Sequence, residues 1–181
     1  IRVNAILAVG EYLIEKRQHP DVDQGEFGHD IHVRWYALFE EEHESWSEKS
    51  QLRYAIAVTK SFIAKRNEDE SKKWRRKAEE LARLSDDPHF HAQTSLVRAR
   101  EAYYKGQYFE AYQYAQESLS AFREVNDSTS LFMVLSVLGT VAGELGRVRG
   151  NPMYYQRAVD SYLEAVKLMK TIGHDKFVAY S

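Results

Sequence analysis

Few residues in this chain have the types and spacing that chemistry requires. His29, Asp30 and His32 lie close together, with His43 farther along the same predicted helix. Imidazoles three residues apart on a helix can share a zinc ion. Spacing fixes no third ligand here, and there is no His-Glu-x-x-His pair, so neither a metal nor a cofactor is expected. Hydrolysis would need a nucleophile, a base and a group that orients the base. The chain contains no cysteine, its Ser and His residues do not fall in a strand-turn-helix elbow, and a glycine-rich phosphate loop is lacking. The chain reads as a non-enzyme.

The run KKWRRK, residues 72–77, is a different kind of candidate. Basic residues around an aromatic can contact nucleic acid. On a helix these charges scatter around the cylinder, and Asp69, Glu70, Glu79 and Glu80 stand at ion-pairing spacing. A solvated, salt-bridged face is expected, with nucleic acid not the partner.

Composition narrows the class further. Of 181 residues, 29% are charged, 44% are hydrophobic and 3 are proline, with a net charge of −2. That is helix-friendly and exerts no global pull toward nucleic acid or membrane. Lack of cysteine excludes disulfides and thiolate metal sites, and makes a cytoplasmic setting the simpler expectation. No apolar run is long enough to suggest a bilayer span and no signal peptide is legible, so no membrane partner is expected. The sequence opens on Ile1, and residues 175–181 read as the start of another helix. A fragment of a longer chain is expected.

The elements that must position any site are helices. Residues 1–16 carry apolar side chains at 3, 6, 7, 9, 13 and 14, a helical period. Residues 17–28 collect Pro20, Gly25 and Gly28 in a long loop. A second helix is predicted over 29–48, with Ile31, Trp35, Leu38 and Phe39 inward and the acidic EEEHESWSEK facing solvent. A third covers 50–64, with Ala55 and Ala57 as small contact residues, then a turn at Lys65-Arg66-Asn67. A fourth covers 68–84, with Trp74, Ala78, Leu81 and Ala82 inward. Ser85-Asp86-Asp87-Pro88 marks a boundary, because acids cap a following helix and Pro suits its first turn.

Residues 92–173 then read as two copies of one helix-turn-helix unit. Copy one has Ala99 and Ala102, a turn at Lys105-Gly106-Gln107, then Ala111 and Ala115. Copy two has Gly139 and Ala142, a turn expected at Gly146, an interruption RVRGNPM of about seven residues, then Ala158, Tyr162 and Ala165. Small residues at such spacing let two antiparallel helices approach closely, and a glycine ends the first of them without steric cost. A hairpin that cannot bury its own apolar face must stack on neighbours.

This pattern resembles the tetratricopeptide repeat, through Leu135, Leu138-Gly139, Ala142, Ala158, Tyr162 and Ala165, and through Ala99, Ala102, Tyr108, Ala111 and Ala115. Arg98 stands where that motif has Leu, and its Trp and closing Pro are missing from both copies. Ala99 and Gly139 are 40 residues apart, against about 34 in the common motif. The longer variant is similar to the sensor arms of large signalling ATPase regulators, to bacterial peptide-controlled regulators and to cargo-binding adaptors, and the steps Asn126-Asp127 and Gly173-His174-Asp175 resemble its closing step.

The resemblance implies an all-α fold, a right-handed α-solenoid of about four antiparallel hairpins forming one domain over 1–181. Degenerate pairs would lie at 1–48 and 49–86, and clearer repeats at 88–126 and 127–173. First helices of each pair would line a concave groove, with Gln93, Leu96, Arg100, Tyr103 and Tyr104 outward in copy one. In copy two the outward positions would be Met133, Ser136, Thr140, Gly143 and Glu144. An Arg with two tyrosines suits a peptide or protein segment, since Arg offers forked donors and Tyr offers stiff area with a polar tip. The tyrosines of the second helices, Tyr108, Tyr112, Tyr114, Tyr154, Tyr155 and Tyr162, would fill gaps between repeats. The function implied is a scaffold or sensor that docks a protein or peptide and regulates another domain of the same chain or a partner effector. The alternatives are a nucleic-acid-associated helical domain and the helical regulatory part of a larger enzyme, such as a signalling ATPase or protease.

Overall fold

The computed structural model describes residues 2–17 and 31–172. Among them the fold is all-α: α1 (Arg2–Arg17), α2 (Ile31–Ala37), α3 (Glu48–Ala64), α4 (Glu68–Arg83), α5 (Pro88–Tyr104), α6 (Tyr108–Glu124), α7 (Ser128–Arg149) and α8 (Pro152–Ile172), with a 3₁₀ turn at Glu42–Ser45. The loop expected at 17–28, the pair His29 and Asp30, and the segment from Gly173 onward lie outside the described residues, apart from Arg17 at the end of α1. Two compact units divide the chain, Ile1–Asp86 and Asp87–Ser181. The division falls inside the Ser-Asp-Asp-Pro boundary.

In the first unit, α3 packs on α4, α1 and α2. Its core is a cluster of rings. Tyr54 of α3 stacks on His43 at 4.5 Å and meets Tyr36, Trp46 and Trp74 edge-on at 5.5, 5.6 and 5.4 Å. The continuous helix expected over 29–48 is therefore corrected. α2 stops at Ala37, a turn covers 38–41, and only the 3₁₀ turn follows. Four glutamates at 40, 41, 42 and 44 would crowd one helical segment with like charge. Breaking the helix lets the chain fold back, so that His43 and Trp46, expected at the surface, are buried. Ser47 then caps α3 by accepting from the Ser50 amide.

In the second unit, α5 packs on α6, α6 on α7, α7 on α8, and α5 also touches α7. The pairs run antiparallel: Ser118 near the end of α6 donates to the Ala92 carbonyl near the start of α5 at 2.8 Å. Small residues occupy the crossings as expected, with Ala99, Ala111, Ala115 and Ala142 fully buried. At Gly139 a β-carbon would come within 2.8 Å of the Tyr162 ring. The close approach of α7 and α8 therefore needs glycine there.

One turn device recurs. Arg66, Gly106, Asn126 and Gly150 all have positive φ, at 56°, 74°, 53° and 61°. After three of them the next amide reaches back five residues, Asn67 to Phe62, Gln107 to Ala102 and Asn151 to Gly146, the bond that closes a helix end through a left-handed residue. Asn67 and Asp127 then cap the following helices. Counted from this shared turn, the counterparts of Ala99 and Ala111 in the first unit are Thr59 and Ser71, both buried, and not the expected Ala55 and Ala57.

The turn expected at Gly146 is corrected as well. Gly146 lies inside α7 with the Tyr155 ring against it, and Gly150 ends the helix. The seven-residue insertion extends the helices on both sides of the Gly150-Asn151 turn. Eleven residues separate Gly139 from Gly150 where seven separate Ala99 from Gly106, and eight separate Gly150 from Ala158 where five separate Gly106 from Ala111. Each helix of the pair is thus about one turn longer at the shared end. The lengthening also makes α7 long and apolar enough, by length and composition, to cross a membrane, with a mean hydropathy of 1.5 over its apolar window. No such span was expected. In this fold Val134, Leu135, Leu138, Val141 and Leu145 of α7 are buried in the core of the second unit.

Candidate functional site

Helix periodicity brings the expected groove residues onto α5 and α7, but they do not form one site. Leu96 is 1% exposed and belongs to the core. Its assignment as an outward contact is corrected, because α5 is covered on more than one side and Leu96 sits one turn from Ala92 and Ala99 on the packed face. Met133 is half-buried against the same core. Gln93 bonds His89 at 3.0 Å, and Ser136 donates back to the Phe132 carbonyl at 2.9 Å.

The other expected residues do converge. The Tyr103 ring meets Tyr104 and Tyr108 at 5.5 and 5.8 Å. Burial pushes the Tyr103 phenol above its ordinary value, and the charge of Glu144 adds to it, with Tyr108, Tyr104 and Tyr162 also acting. Thr140 donates to the Ser136 carbonyl at 3.0 Å and shares a hydrogen bond with the Tyr162 hydroxyl at 2.9 Å. Glu144 pairs with Arg147 at 2.7 Å and holds its guanidinium above the ordinary value, with a smaller contribution from nearby Tyr108. Tyr103, Tyr104, Thr140 and Glu144 therefore gather with Tyr108, Tyr162 and Arg147, three residues read from the sequence as filler or linker. Tyr108 opens α6 immediately after the Gly106 turn, and Tyr162 lies across Gly139. The close helix approach that the glycine allows is what delivers the Tyr162 hydroxyl to Thr140.

Arg100 stands one helical turn before Tyr104. Burial lowers its guanidinium from the ordinary value, and the one ionisable neighbour acting to raise it is Tyr104. No carboxylate acts on it among the described residues.

The basic run on α4 behaves as expected of an ion-paired face. Lys73 approaches Glu70 and Glu40 at 3.5 and 3.8 Å, and Arg75 bonds Glu79 at 2.6 Å. Lys77 bonds the His43 Nε2 atom at 2.8 Å and lies 3.6 Å from Glu44. Lys73 and Lys77 also flank the Trp74 ring. Sequence reasoning missed the cluster behind them. His43 rests on Tyr54 and Trp74, and its Nδ1–H faces the Glu40 carbonyl. Of the histidines singled out in the sequence, His32 and His43 are buried, His29 lies outside the described residues with Asp30, and among the described residues no group of three His, Cys, Asp or Glu side chains could hold a metal ion. Beside Tyr54 a partly open pocket of about 50 Å³ is lined by Val33, Tyr36, Glu40, Phe62 and Trp74 among others. A small-molecule site ordinarily needs several hundred Å³.

No protein-family model matches the chain, and no curated protein matches it in sequence.

Proposed function

We propose that this chain is a protein- or peptide-binding scaffold, a right-handed solenoid of about four antiparallel hairpins over 1–181, related to the longer tetratricopeptide-like repeats. It regulates a partner or an attached effector in the cytoplasm and carries out no catalysis itself. The observation that carries the reading is the convergence of Tyr103, Tyr104, Thr140 and Glu144 on the exposed side of α5 and α7. The site joins stiff aromatic area, hydroxyls and a charge pair, with Tyr104 54% exposed. Such surfaces supply binding energy without ordering long flexible side chains.

Two features support the stacked architecture. The left-handed turn residue recurs at Arg66, Gly106, Asn126 and Gly150. Tyr112 and Leu119 on α6 are buried, and Tyr112 is held by Tyr154 and by Arg157 at 2.7 Å from α8. The counterparts of Tyr112 and Leu119 on α8 are Val159 and Val166, about half exposed, the kind of face on which a further hairpin stacks.

Panning the folded chain against an unbiased array of immobilised twelve-residue peptides tests the reading. Retained peptides should lose at least tenfold in affinity with Tyr103→Ala plus Tyr104→Ala at unchanged helicity. If no peptide is retained, or retention ignores both tyrosines, the reading fails.

A further inference from the structure

In the first unit three rings stand close to right angles. Tyr36 and Tyr54 meet at 84° and Tyr54 and Trp74 at 72°, with centroids 5.5 and 5.4 Å apart. Rings set this way make a corner rather than a stack, and all three line the partly open pocket of about 50 Å³, with Phe62 beside them. The three are buried, so they form its floor. Glu40 and Glu70 also line it and stand at its mouth, with side chains 55% and 38% exposed. Ring faces carry negative potential, and the carboxylates add full negative charge. The pocket therefore repels anions, and a neutral apolar guest would leave both carboxylates unused. It suits a cation. At roughly 30 Å³ of liquid volume per water molecule, the space admits a group of about two heavy atoms, such as an ammonium and the carbon that carries it.

The chain's own lysines supply an independent observation. Lys73 and Lys77 lie over the Trp74 ring, 5.6 and 5.5 Å from its centroid, so that ring already draws ammonium groups. Lys77 is engaged, donating to the His43 Nε2 atom at 2.8 Å. Lys73 reaches between the two pocket carboxylates but meets neither closely, at 3.5 Å from Glu70 and 3.8 Å from Glu40. A well-seated ammonium–carboxylate bond measures about 2.7–2.9 Å, and Arg75 with Glu79 on the same helix reaches 2.6 Å. Lys73 does not line the pocket itself, and its side chain is 60% exposed. It is a loosely held cation at the rim of a space that its own ammonium does not fill.

We propose that this corner of rings binds an alkylammonium head group, which seats in the pocket with its charge toward Glu40 and Glu70 and displaces Lys73 from the mouth. The site lies wholly in the first unit and does not depend on the scaffold reading or on the tyrosine-lined face of α5 and α7. Its floor comes from α2, α3 and α4. Ending α2 at Ala37 places Glu40 in a turn opposite Glu70, close enough for the Lys73 nitrogen to approach both at 3.8 and 3.5 Å. An ammonium of this size is the end of a lysine side chain or of a free primary amine, since both carry a compact charge with three donors on a flexible alkyl stem.

Titration with n-butylammonium chloride tests the site, with 1-butanol and sodium chloride as controls. The readout is the indole N–H resonance of Trp74, assigned by its disappearance in Trp74→Phe. Lys73→Met removes the competing cation without touching a lining residue, and there the resonance should shift saturably with n-butylammonium. Its affinity should be about fivefold or more above that of the unaltered chain, and 1-butanol should bind about fivefold or more weakly than the ammonium. Adding Glu40→Gln and Glu70→Gln, both on exposed side chains, should cost about tenfold or more at unchanged helicity. Nα-acetyl-lysine methylamide separates the two sources. Tighter binding than n-butylammonium points to a lysine side chain, parity or weaker binding to a free amine, and either result upholds the site. No saturable shift in Lys73→Met, an equal response to 1-butanol, or an affinity indifferent to Lys73→Met or to the two glutamines would overturn the proposal and leave the scaffold reading untouched.

Discussion

The two compact units solve the problem of joining helices in opposite ways. In the second unit, methyl groups and bare α-carbons sit at the crossings: Ala99, Ala111, Ala115, Gly139 and Ala142. In the first unit, rings occupy the middle, with Tyr54 touching Tyr36, His43, Trp46 and Trp74. Small-residue crossings pull backbones together and leave side chains such as Tyr103 and Tyr162 to form the outer surface. A ring cluster holds its elements apart and consumes its aromatics inside. The difference places the candidate binding face on the second unit, where tyrosines remain half-buried or exposed, and leaves the first unit with an aromatic core.

All three tryptophans, Trp35, Trp46 and Trp74, belong to the first unit, so their fluorescence reads that unit alone. Trp74→Ala removes the ring that spans α4, His43 and Tyr54, and large-to-small changes of this kind cost about 3–5 kcal/mol. Urea titration followed by the remaining two tryptophans should show that loss. Phe122→Ala, which empties a fully buried site in α6, should cost a similar amount in far-ultraviolet circular dichroism and leave the fluorescence midpoint nearly in place. If Phe122→Ala moves the fluorescence as far as Trp74→Ala does, the two units share one cooperative transition and the contrast between them has no thermodynamic weight.

The same contrast governs what could be read in advance. The crossings of the second unit announced themselves because small residues recur at helical spacing: Ala99 with Ala102, Ala111 with Ala115, Gly139 with Ala142. Helix ends were legible where a left-handed turn residue precedes a capping side chain, at Arg66-Asn67 and Asn126-Asp127. Gly146 misled because a glycine that admits a ring looks the same in sequence as one that ends a helix, and only the Tyr155 ring distinguishes them. The aromatic cluster of the first unit was not legible because its members come from a helix, a turn, a 3₁₀ segment and two more helices, and so share no period. Of the candidate face, the positions on α5 and the middle of α7 were legible from helix position. Tyr108, Tyr162 and Arg147 were not, since Tyr108 arrives through the Gly106 turn, Tyr162 through the close crossing at Gly139, and Arg147 through the added turn of α7.

The small-residue logic can be sharpened within one helix by the pair Gly139→Ala and Gly143→Ala. At Gly139 the added carbon enters the Tyr162 ring at 2.8 Å. Overpacking costs about 1–3 kcal/mol, of which the better helix propensity of alanine returns about 1. A net loss of about 1 kcal/mol is expected, together with release of the Thr140–Tyr162 hydrogen bond. At Gly143, where a β-carbon would meet nothing within 4 Å, only the propensity gain remains, about 1 kcal/mol of stabilisation. Chemical denaturation by circular dichroism measures both. If the two substitutions shift stability in the same direction, the Tyr162 ring does not define the α7–α8 crossing.

A smaller effect separates the units by pH. His43 is buried among rings, with Nδ1 toward the Glu40 carbonyl and Nε2 accepting from the Lys77 ammonium. Burial lowers its pKa from the ordinary 6.5, and the Lys77 charge acts in the same direction against the Glu40 carbonyl and the nearby Glu44 and Glu40 carboxylates. The unfolded chain therefore takes up this proton at a higher pH than the folded one does. Stability of the first unit is whole above about 6.5 and falls as pH drops from there through the folded value, with the slope of a single titrating group. Urea midpoints followed by tryptophan fluorescence between pH 7.5 and pH 5 should decline, and His43→Gln should flatten that part of the decline at some cost in overall stability. Lys77→Met should reduce the slope by removing the cation that faces Nε2. A slope that survives His43→Gln unchanged would assign the titration to other groups, and the ring cluster would then differ from the small-residue crossings in packing alone.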